Sequence, residues 1–537
     1  MAMTPESPRS RTLFLVAVGI ATVLGLWLRA WGVTTQVVID DEWHALHKLV
    51  EASYSGIFKS FGLSDHSIPL TLFYKWMANN VGLAEGRLRL PQVVCGAALV
   101  PVCAWFAWAA TRDRAVAALF GFLVCAAPFL VLWSRFARPY AISLLLVVLC
   151  VACIWRWRSK RTNALAACAA LTAALATWFH PLMGMYPAIA CVYVFVEDLS
   201  SPPDVRSRAW RQSFKFGAGV AAAMGALLIY PLYKDRESLA AKSGGDYPGF
   251  ATFERMLSIF WGGLPAPAYA IALAATAWGL VVLFRRQPRL ALCLAMLGVL
   301  PVVILTAVGA AWMSAGQNLG RYVLPLQPLL LFLGSLGAVS AARSLAGRRE
   351  DGAAWIASFV IAAAYLGATP AIAYTAKLGT WYGHLDYHWD YRERWQAYKH
   401  KYPNLDPPDF YRGLGTMSPG AIVEAPFEFE APYNPLAYYA TFHRQSEYFG
   451  MIQDACRKEG PRLGEVAPGD RRFRFRRFVF LDNPAMVRAT GARYLIFNRD
   501  IPTRPVPLPP DCLARLTEIY GPPFRLDARV AVWELNR

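Results

Sequence analysis

Apolar segments long enough to cross a lipid bilayer occupy most of residues 1–375. A spanning helix needs about 20 apolar residues, and the chain offers about eleven such segments. Backbone polar groups in lipid must be hydrogen-bonded internally, so these segments are predicted to be helices. The predicted spans are Leu13–Val33, Val93–Ala110, Ala115–Trp133, Ala141–Trp155, Ala164–Trp178, Leu182–Val196, Phe216–Tyr233, Ala266–Phe284, Leu290–Trp312, Val323–Ala342 and Ala353–Tyr374. The sequence therefore predicts a polytopic α-helical membrane protein.

The composition supports this class and argues against a nucleic-acid partner. The chain is 56% hydrophobic and only 17% charged, which is too apolar for an ordinary soluble protein. Its net charge of +18 would suit nucleic acid. However, arginine and lysine cluster in short loops between apolar segments and form no basic stripe with interleaved aromatic residues. We expect membrane lipids, and no nucleic acid, as partners.

The positions of the basic residues predict the orientation of the chain. With the N-terminus in the cytoplasm, every predicted inner loop carries two or more Arg or Lys, as the positive-inside rule requires. These loops are Thr111–Arg114, Arg156–Asn163, Glu197–Lys215, Arg285–Arg289 and Ala342–Asp351. The first apolar segment is longer than a signal-peptide core and no small-residue cleavage site follows it, so we interpret it as a retained helix. We expect a multi-pass plasma (inner) membrane protein with an extracytoplasmic C-terminal region.

The chain changes character beyond residue 375, where charge, proline and tyrosine increase. Short β-type runs at Ala421–Ala425, Arg493–Phe497 and Val530–Leu535, with a helical pattern at Asn483–Gly491, predict an α/β domain over residues 376–537. Residues 1–375 form the predicted transmembrane domain, with a first extracytoplasmic loop at 34–89. Cys456 and Cys512 are the two cysteines outside the apolar segments, and both a disulfide and two free thiols stay open.

Three consecutive acids, Asp40, Asp41 and Glu42, follow the first predicted helix. Acids at a membrane edge are costly unless they have a function. Beside apolar helices, the pKa of such a carboxylate can rise and the group can act as a general base. The alternative is a solvated acid that caps a helix beginning near Trp43.

Three outward arginines depart from the positive-inside pattern and are candidates for binding an anion. Arg135 and Arg138 lie in the predicted outer loop 134–140, and Arg321 lies at the outer end of the tenth span. Guanidinium groups hold phosphate through paired hydrogen bonds. Alternatives are lipid headgroups or ion pairs with the acids of the first loop. Lys75, in an amphipathic stretch at Ile68–Met77, either reaches a phosphate or extends to the headgroups. His180 is interpreted as structural.

Five short motifs in this order resemble the C-type (GT-C) glycosyltransferases of the protein-mannosyltransferase and aminoarabinose-transferase group. They are Asp41-Glu42, Asp65-His66-Ser67-Ile68-Pro69-Leu70, Arg87-Leu88-Arg89-Leu90-Pro91, Ser134-Arg135-Phe136-Ala137-Arg138-Pro139-Tyr140 and Arg321-Tyr322 with Pro325. Ser67 and Ile68 stand where that family usually has prolines, and Asp40 is an additional acid. The motifs add His66, Tyr140 and Tyr322 to the candidate residues of the site.

The resemblance implies a GT-C fold and an inverting hexosyl or pentosyl transfer from a polyprenyl-phosphate-linked sugar on the outer face. Asp41, with Glu42, would activate the acceptor, and Arg135, Arg138, Arg321 and Lys75 would bind the donor phosphate. The acceptor, a lipid, a protein or a glycan, is left open. No cofactor is required; some GT-C enzymes hold a divalent cation with acids, for which Asp40, Asp41 and Glu42 are the candidates. The alternative function is a lipid or solute transporter or flippase, whose ionisable groups would lie near the middle of the spans.

Overall fold

The computed structural model describes most of the chain. The described residues are 8–34, 42, 46, 49, 52–64, 67–241, 243–311, 313–347, 350–372, 407–427, 439, 442–443, 445–451, 478–500 and 511–535.

The N-terminal two thirds of the described chain is helical. The helices are α1 (Pro8–Ala30), α2 (Tyr54–Phe58), α3 (Ile68–Asn80), α4 (Glu85–Thr111), α5 (Arg114–Ala126), α6 (Pro128–Ser134), α7 (Tyr140–Lys160), α8 (Asn163–Phe179), α9 (Met185–Leu199), α10 (Pro203–Lys234), α11 (Arg236–Ala240), α12 (Phe250–Phe260), α13 (Ala266–Arg286), α14 (Pro288–Val308), α15 (Gly316–Tyr322), α16 (Leu326–Ala346) and α17 (Glu350–Ala368). A 3₁₀ turn, Pro181–Gly184, joins α8 to α9.

These helices confirm the prediction of a polytopic membrane protein. Among the described residues, nine helices have the length and apolar character of a membrane span, and the α5–α6 pair makes a bent tenth. The apolar helix α8, with 17 residues, accounts for the remaining predicted segment. Each of the eleven predicted spans therefore coincides with an apolar helix or helix pair.

Two details of the helix prediction were wrong. The predicted span Ala115–Trp133 is broken at Ala127, and its two halves meet at 56°. Pro128 causes the break because it has no backbone N–H and its ring clashes with the preceding turn. In addition, α10 begins at Pro203, so most of the predicted loop Glu197–Lys215 is helical.

Small residues allow α13 and α16 to approach each other closely. A Cβ atom at Gly279 would overlap the backbone carbonyl of Leu333, and one at Gly337 would overlap that of Ala275. Close backbone contact at small residues is a typical packing mode of membrane helices. Only glycine is accommodated at these two positions.

Arginines of the predicted cytoplasmic loops pair with acids on neighbouring helices. Arg161 contacts both carboxylate oxygens of Asp198 at 2.7 and 2.8 Å, and Arg158 contacts Glu197 at 2.6 Å. Arg343 on α16 pairs with Asp113, whose carboxylate also caps the first turn of α5. These ion pairs connect α7 with α9, and α16 with the start of α5, as well as contributing to the charge bias.

The C-terminal region contains a six-stranded mixed sheet with order β3-β2-β1-β4-β6-β5. Its elements are α18 (Asp409–Leu414), β1 (Ala421–Phe427), β2 (Ser446–Met451), β3 (Phe478–Phe480), α19 (Pro484–Arg488), β4 (Tyr494–Asn498), α20 (Cys512–Tyr520), β5 (Arg525–Leu526) and β6 (Val530–Glu534). Strands β3, β2, β1 and β4 are parallel, whereas β6 is antiparallel to β4 and to β5.

The predicted α/β region is therefore confirmed, with more strands than the sequence indicated. The three predicted runs are β1, β4 and β6, and the predicted helix is α19, followed by Gly491 with a φ of 68°. One face of the sheet packs on α19 and α20 through a core that includes Val423, Leu495 and Trp533.

The chain divides into two compact units. The first contains residues 1–31, 55–70 and 89–375, and the second contains 32–54, 71–88 and 376–537. The second unit thus includes two segments of the first loop in addition to the C-terminal region.

Candidate functional site

The turn between α6 and α7, residues 135–139, carries two of the three predicted phosphate-binding arginines of the first unit. Arg135 follows α6 directly and is fully buried. Its Nη1 donates hydrogen bonds to the carbonyl oxygens of Leu28 at 3.0 Å and Arg29 at 3.3 Å. Both carbonyls belong to the last turn of α1, where helical partners run out and a positive charge is favourable. Arg135 therefore ties this turn to the end of the first helix.

A second buried arginine, Arg29 on α1, holds the start of the same turn. Its Nε donates to Ser134 Oγ at 3.2 Å, and its Nη1 and Nη2 donate to the carbonyls of Cys125 at 3.0 Å and Val124 at 3.2 Å. These carbonyls lie just before the break at Pro128, where the missing N–H interrupts the helical ladder. Arg29 replaces the helical hydrogen bonds that the break removes.

Sequence reasoning missed Arg29, although a signal was present. An arginine inside an apolar span is costly unless its donors meet acceptors there. Gly96 on α4 provides the space, since a Cβ atom at this position would overlap Ser134 and approach Arg29 Nε to 2.9 Å.

Arg89 on α4, in the third sequence motif, is the third fully buried arginine of this cluster. Burial, followed by the charges of Arg89 and Arg29, lowers the pKa of Arg135 to about 9. Arg29, Arg89 and Arg135 therefore form a positively charged region within the first unit. We refer to Arg29, Arg89 and Arg135 as the arginine cluster.

Arg138 and Tyr140 complete the turn. Arg138 is half-buried, and its backbone N–H donates to the Phe136 carbonyl at 2.7 Å. Tyr140 is buried between two rings, with centroid distances of 4.6 Å to Trp133 and 5.2 Å to His180. The structure thus brings His180, at the end of α8, against the predicted Tyr140.

Arg321 and Tyr322 lie at the end of α15, and both are half-buried. The Arg321 guanidinium lies over the Tyr322 ring at 5.2 Å from its centroid. A Cβ atom at Gly320 would be 3.5 Å from Phe129 on α6, so α15 packs against the helix that ends at Arg135. The two arginine motifs are therefore carried by neighbouring helices of the first unit.

In the second unit, Glu42 and Lys75 are both buried, with 0% and 9% of their surface exposed. For Glu42 the alternative of a solvated cap was therefore wrong. Lys75 Nζ donates to the Leu49 carbonyl at 2.6 Å and lies over the Tyr54 ring at 5.5 Å. Of the two alternatives for Lys75, extension to the headgroups was wrong, because these contacts hold the ammonium group inside the unit.

The remaining predicted residues, Asp40, Asp41 and His66, lie outside the described residues. Their roles stay predictions. The same holds for Cys456, whereas Cys512 is disulfide-bonded.

Comparisons with known proteins give structural likeness only. No family model and no curated protein matches the chain. Similar solved structures include ArnT from Cupriavidus metallidurans bound to undecaprenyl phosphate, at 13% identity and a TM-score of 0.48, with 98% of each chain covered. Arabinofuranosyltransferase AftD from Mycobacteria is 15% identical with a TM-score of 0.47, covering 100% of this chain and 42% of that chain.

Arabinosyltransferase EmbB from Mycobacterium smegmatis is 14% identical with a TM-score of 0.40, covering 63% of this chain and 32% of that chain. At these identities and TM-scores, the likeness carries no weight in assigning an activity. The resemblance to the GT-C enzymes rests on the five sequence motifs.

Proposed function

We propose that this protein is a membrane glycosyltransferase that moves a sugar from a polyprenyl-phosphate-linked donor to an acceptor at the outer face of the plasma membrane. The observation that carries the proposal is the arginine cluster at the start of the Arg-x-x-Arg-Pro-Tyr motif. The cluster places positive charge beside the motif that carries Arg138, and the phosphate of a lipid-linked sugar is an anion that arginine binds well at the membrane boundary.

The arginines contribute through the charge that develops on the leaving group. When the bond between sugar and phosphate breaks, negative charge grows on the phosphate, and cations fixed beforehand lower the barrier. Arg135 is held by the carbonyls of α1. In our proposal Arg138 and Arg321, both half-buried, contact the phosphate directly.

The acids of the first loop activate the acceptor in this proposal. Asp41 removes a proton from the acceptor as it attacks the anomeric carbon on the face opposite the phosphate, so the configuration inverts. Glu42, the next residue in the sequence, is fully buried and is assigned a supporting role beside Asp41 in this proposal. Asp40, Asp41 and Glu42 are the acids that would hold a divalent cation.

The disulfide at Cys512 supports an extracytoplasmic C-terminal region, because disulfides persist in oxidising compartments. It agrees with the orientation that the basic loops predict.

Turnover of a donor panel tests the proposal. Purified protein is incubated with polyprenyl-phosphate hexoses and pentoses and with lipid, peptide and glycan acceptors, and free polyprenyl phosphate is measured by mass spectrometry. We expect one donor to be consumed. If no donor is consumed but reconstituted protein moves a lipid-linked sugar across vesicles, the transporter alternative is correct.

A further inference from the structure

Two glutamates lie on the face of the C-terminal sheet that is opposite its hydrophobic core. Val423 and Ala425 of β1 belong to the core, and successive side chains of a strand point to opposite faces, so Glu424 points away from it. In the parallel β1–β2 register, Ile422 is paired with Glu447. Glu447 therefore shares the face of Ile422 and Glu424.

His443 joins these glutamates, and the three residues form what we call the Glu-His-Glu cluster. One side-chain oxygen or nitrogen of each residue lies within 4.8 Å of those of the other two. His443 Nε2 is 3.2 Å from Glu447 Oε1, and neither side chain is exposed. Tyr411 stacks on the imidazole at 5.9 Å between ring centroids, so an aromatic wall adjoins the cluster.

Two carboxylates in a fully buried cluster are costly unless a proton or a cation compensates them. Glu424 is 0% exposed, and its carboxyl group has the side chains of Glu447 and Tyr411 as hydrogen-bonding neighbours. A neutral imidazole retains one lone pair, so His443 can serve as a metal ligand.

We propose that Glu424, His443 and Glu447 bind one divalent transition-metal ion, with zinc as the metal whose chemistry fits best. Zinc takes carboxylate oxygen and imidazole nitrogen at about 2.0–2.2 Å, which places tetrahedral ligand atoms about 3.3 Å apart. The 3.2 Å separation of His443 Nε2 and Glu447 Oε1 matches that spacing. Calcium, which takes six to eight oxygen ligands, does not suit a histidine-containing set of three.

The orientation of the imidazole sets a condition on this site. His443 Nδ1 accepts a hydrogen bond from the Gln445 N–H at 3.2 Å, which turns Nε2 toward Glu447. A metal at Nε2 requires the ring proton on Nδ1, so the Gln445 contact is given up on binding. That contact is long for a hydrogen bond, and its loss is a small cost beside coordination of the metal.

The Glu-His-Glu cluster uses other residues than the first-loop acids considered for a cation. His443 and Glu447 are four residues apart, and Glu424 precedes His443 by 19 residues. Sequence reasoning found no second ligand cluster, because Glu424 and Glu447 come together only through the pairing of β1 with β2.

Metal content of the full-length protein tests the proposal. Protein purified in detergent without chelator is equilibrated with zinc and freed of excess metal. Its zinc content is then measured by inductively coupled plasma mass spectrometry. We expect about one bound zinc per chain, and less than about a tenth of that in Glu424→Gln and Glu447→Gln. Glu518→Gln, at an exposed position of α20, is the matched control and keeps the full amount.

A second readout covers the case in which the variants do not fold. Cobalt(II) added to metal-free wild-type protein is expected to give the visible absorption of a tetrahedral nitrogen–oxygen site, which zinc then abolishes. Absence of both bound zinc and the cobalt spectrum in wild-type protein would overturn the proposal. Zinc retained at the wild-type level by folded Glu424→Gln protein would overturn it as well.

Discussion

Arg138 is the residue at which the proposed phosphate site is most directly open to test. It is half-buried, so a charge change perturbs the fold less there than at the fully buried Arg135. In Arg138→Glu we expect the KM for the donor to rise by about 10- to 100-fold, because a charge-assisted hydrogen bond is lost and a repulsion gained. Steady-state kinetics with varied donor measure this effect.

Arg208→Glu is the matched control for Arg138→Glu, because Arg208 is exposed on α10. Its donor KM is expected to equal that of the wild type. An unchanged KM in Arg138→Glu would remove Arg138 from the phosphate site.

Arg29 is expected to stabilise the turn rather than to bind substrate, since its described hydrogen bonds go to the protein. Arg29→Met leaves several buried carbonyls without donors, so we expect a loss of about 3 kcal/mol or more in the free energy of unfolding. We expect Arg29→Lys to recover little of this free energy of unfolding, because an ammonium group cannot reproduce the forked donor geometry of the guanidinium group. Thermal unfolding in detergent provides the measurement.

On the same helix, Arg11→Met is the control, because Arg11 is exposed. An Arg29→Met protein as stable as Arg11→Met would contradict the role given to Arg29.

At the scale of elements, the close crossing of α13 and α16 depends on glycine. Gly279→Ala places a methyl group against the Leu333 carbonyl, so the helices must separate, and we expect lower thermal stability. At Gly367 on α17 a Cβ atom has nothing within 4 Å, and Gly367→Ala is expected to be neutral or stabilising by up to about 1 kcal/mol. Equal melting temperatures for the two variants would argue against the packing described for α13 and α16.

Most of the helical elements were predictable because hydropathy is a local property. Breaks in helices and close contacts between helices were harder to predict. The bend at Pro128 is stabilised by Arg29, which supplies the lost hydrogen bonds from another helix. Strand β2 was missed because it is short and contains serine, glutamate and glycine, which do not give a clear strand pattern. The motifs indicated Arg135, whereas burial of Arg29 and Arg89 beside it followed only from helix packing.

At the scale of the whole molecule, the disulfide bears on orientation. The eight cysteines of the apolar segments are free thiols, and Cys512 is disulfide-bonded. Cys456 is therefore the partner that we predict. Mass spectrometry of a non-reduced digest of protein expressed in the membrane is expected to show a Cys456–Cys512 linked peptide.

Cys168, a free cysteine on α8, is the internal control, since it should react with a maleimide without reduction once the protein is denatured in SDS. Recovery of Cys456 and Cys512 as free thiols would contradict the disulfide and weaken the extracytoplasmic assignment.

Transfer of sugar from a polyprenyl-phosphate donor is the central claim of the proposed function. The role of Asp41 as the base is the part of this claim that a single substitution tests most directly. The decisive measurement follows free polyprenyl phosphate and glycosylated acceptor together in wild-type protein and in Asp41→Asn, at matched expression and membrane insertion. We predict equal amounts of both products from the wild type and neither from Asp41→Asn. Full activity in Asp41→Asn would remove Asp41 as the base, and no release of polyprenyl phosphate by the wild type from any donor would contradict the proposed function.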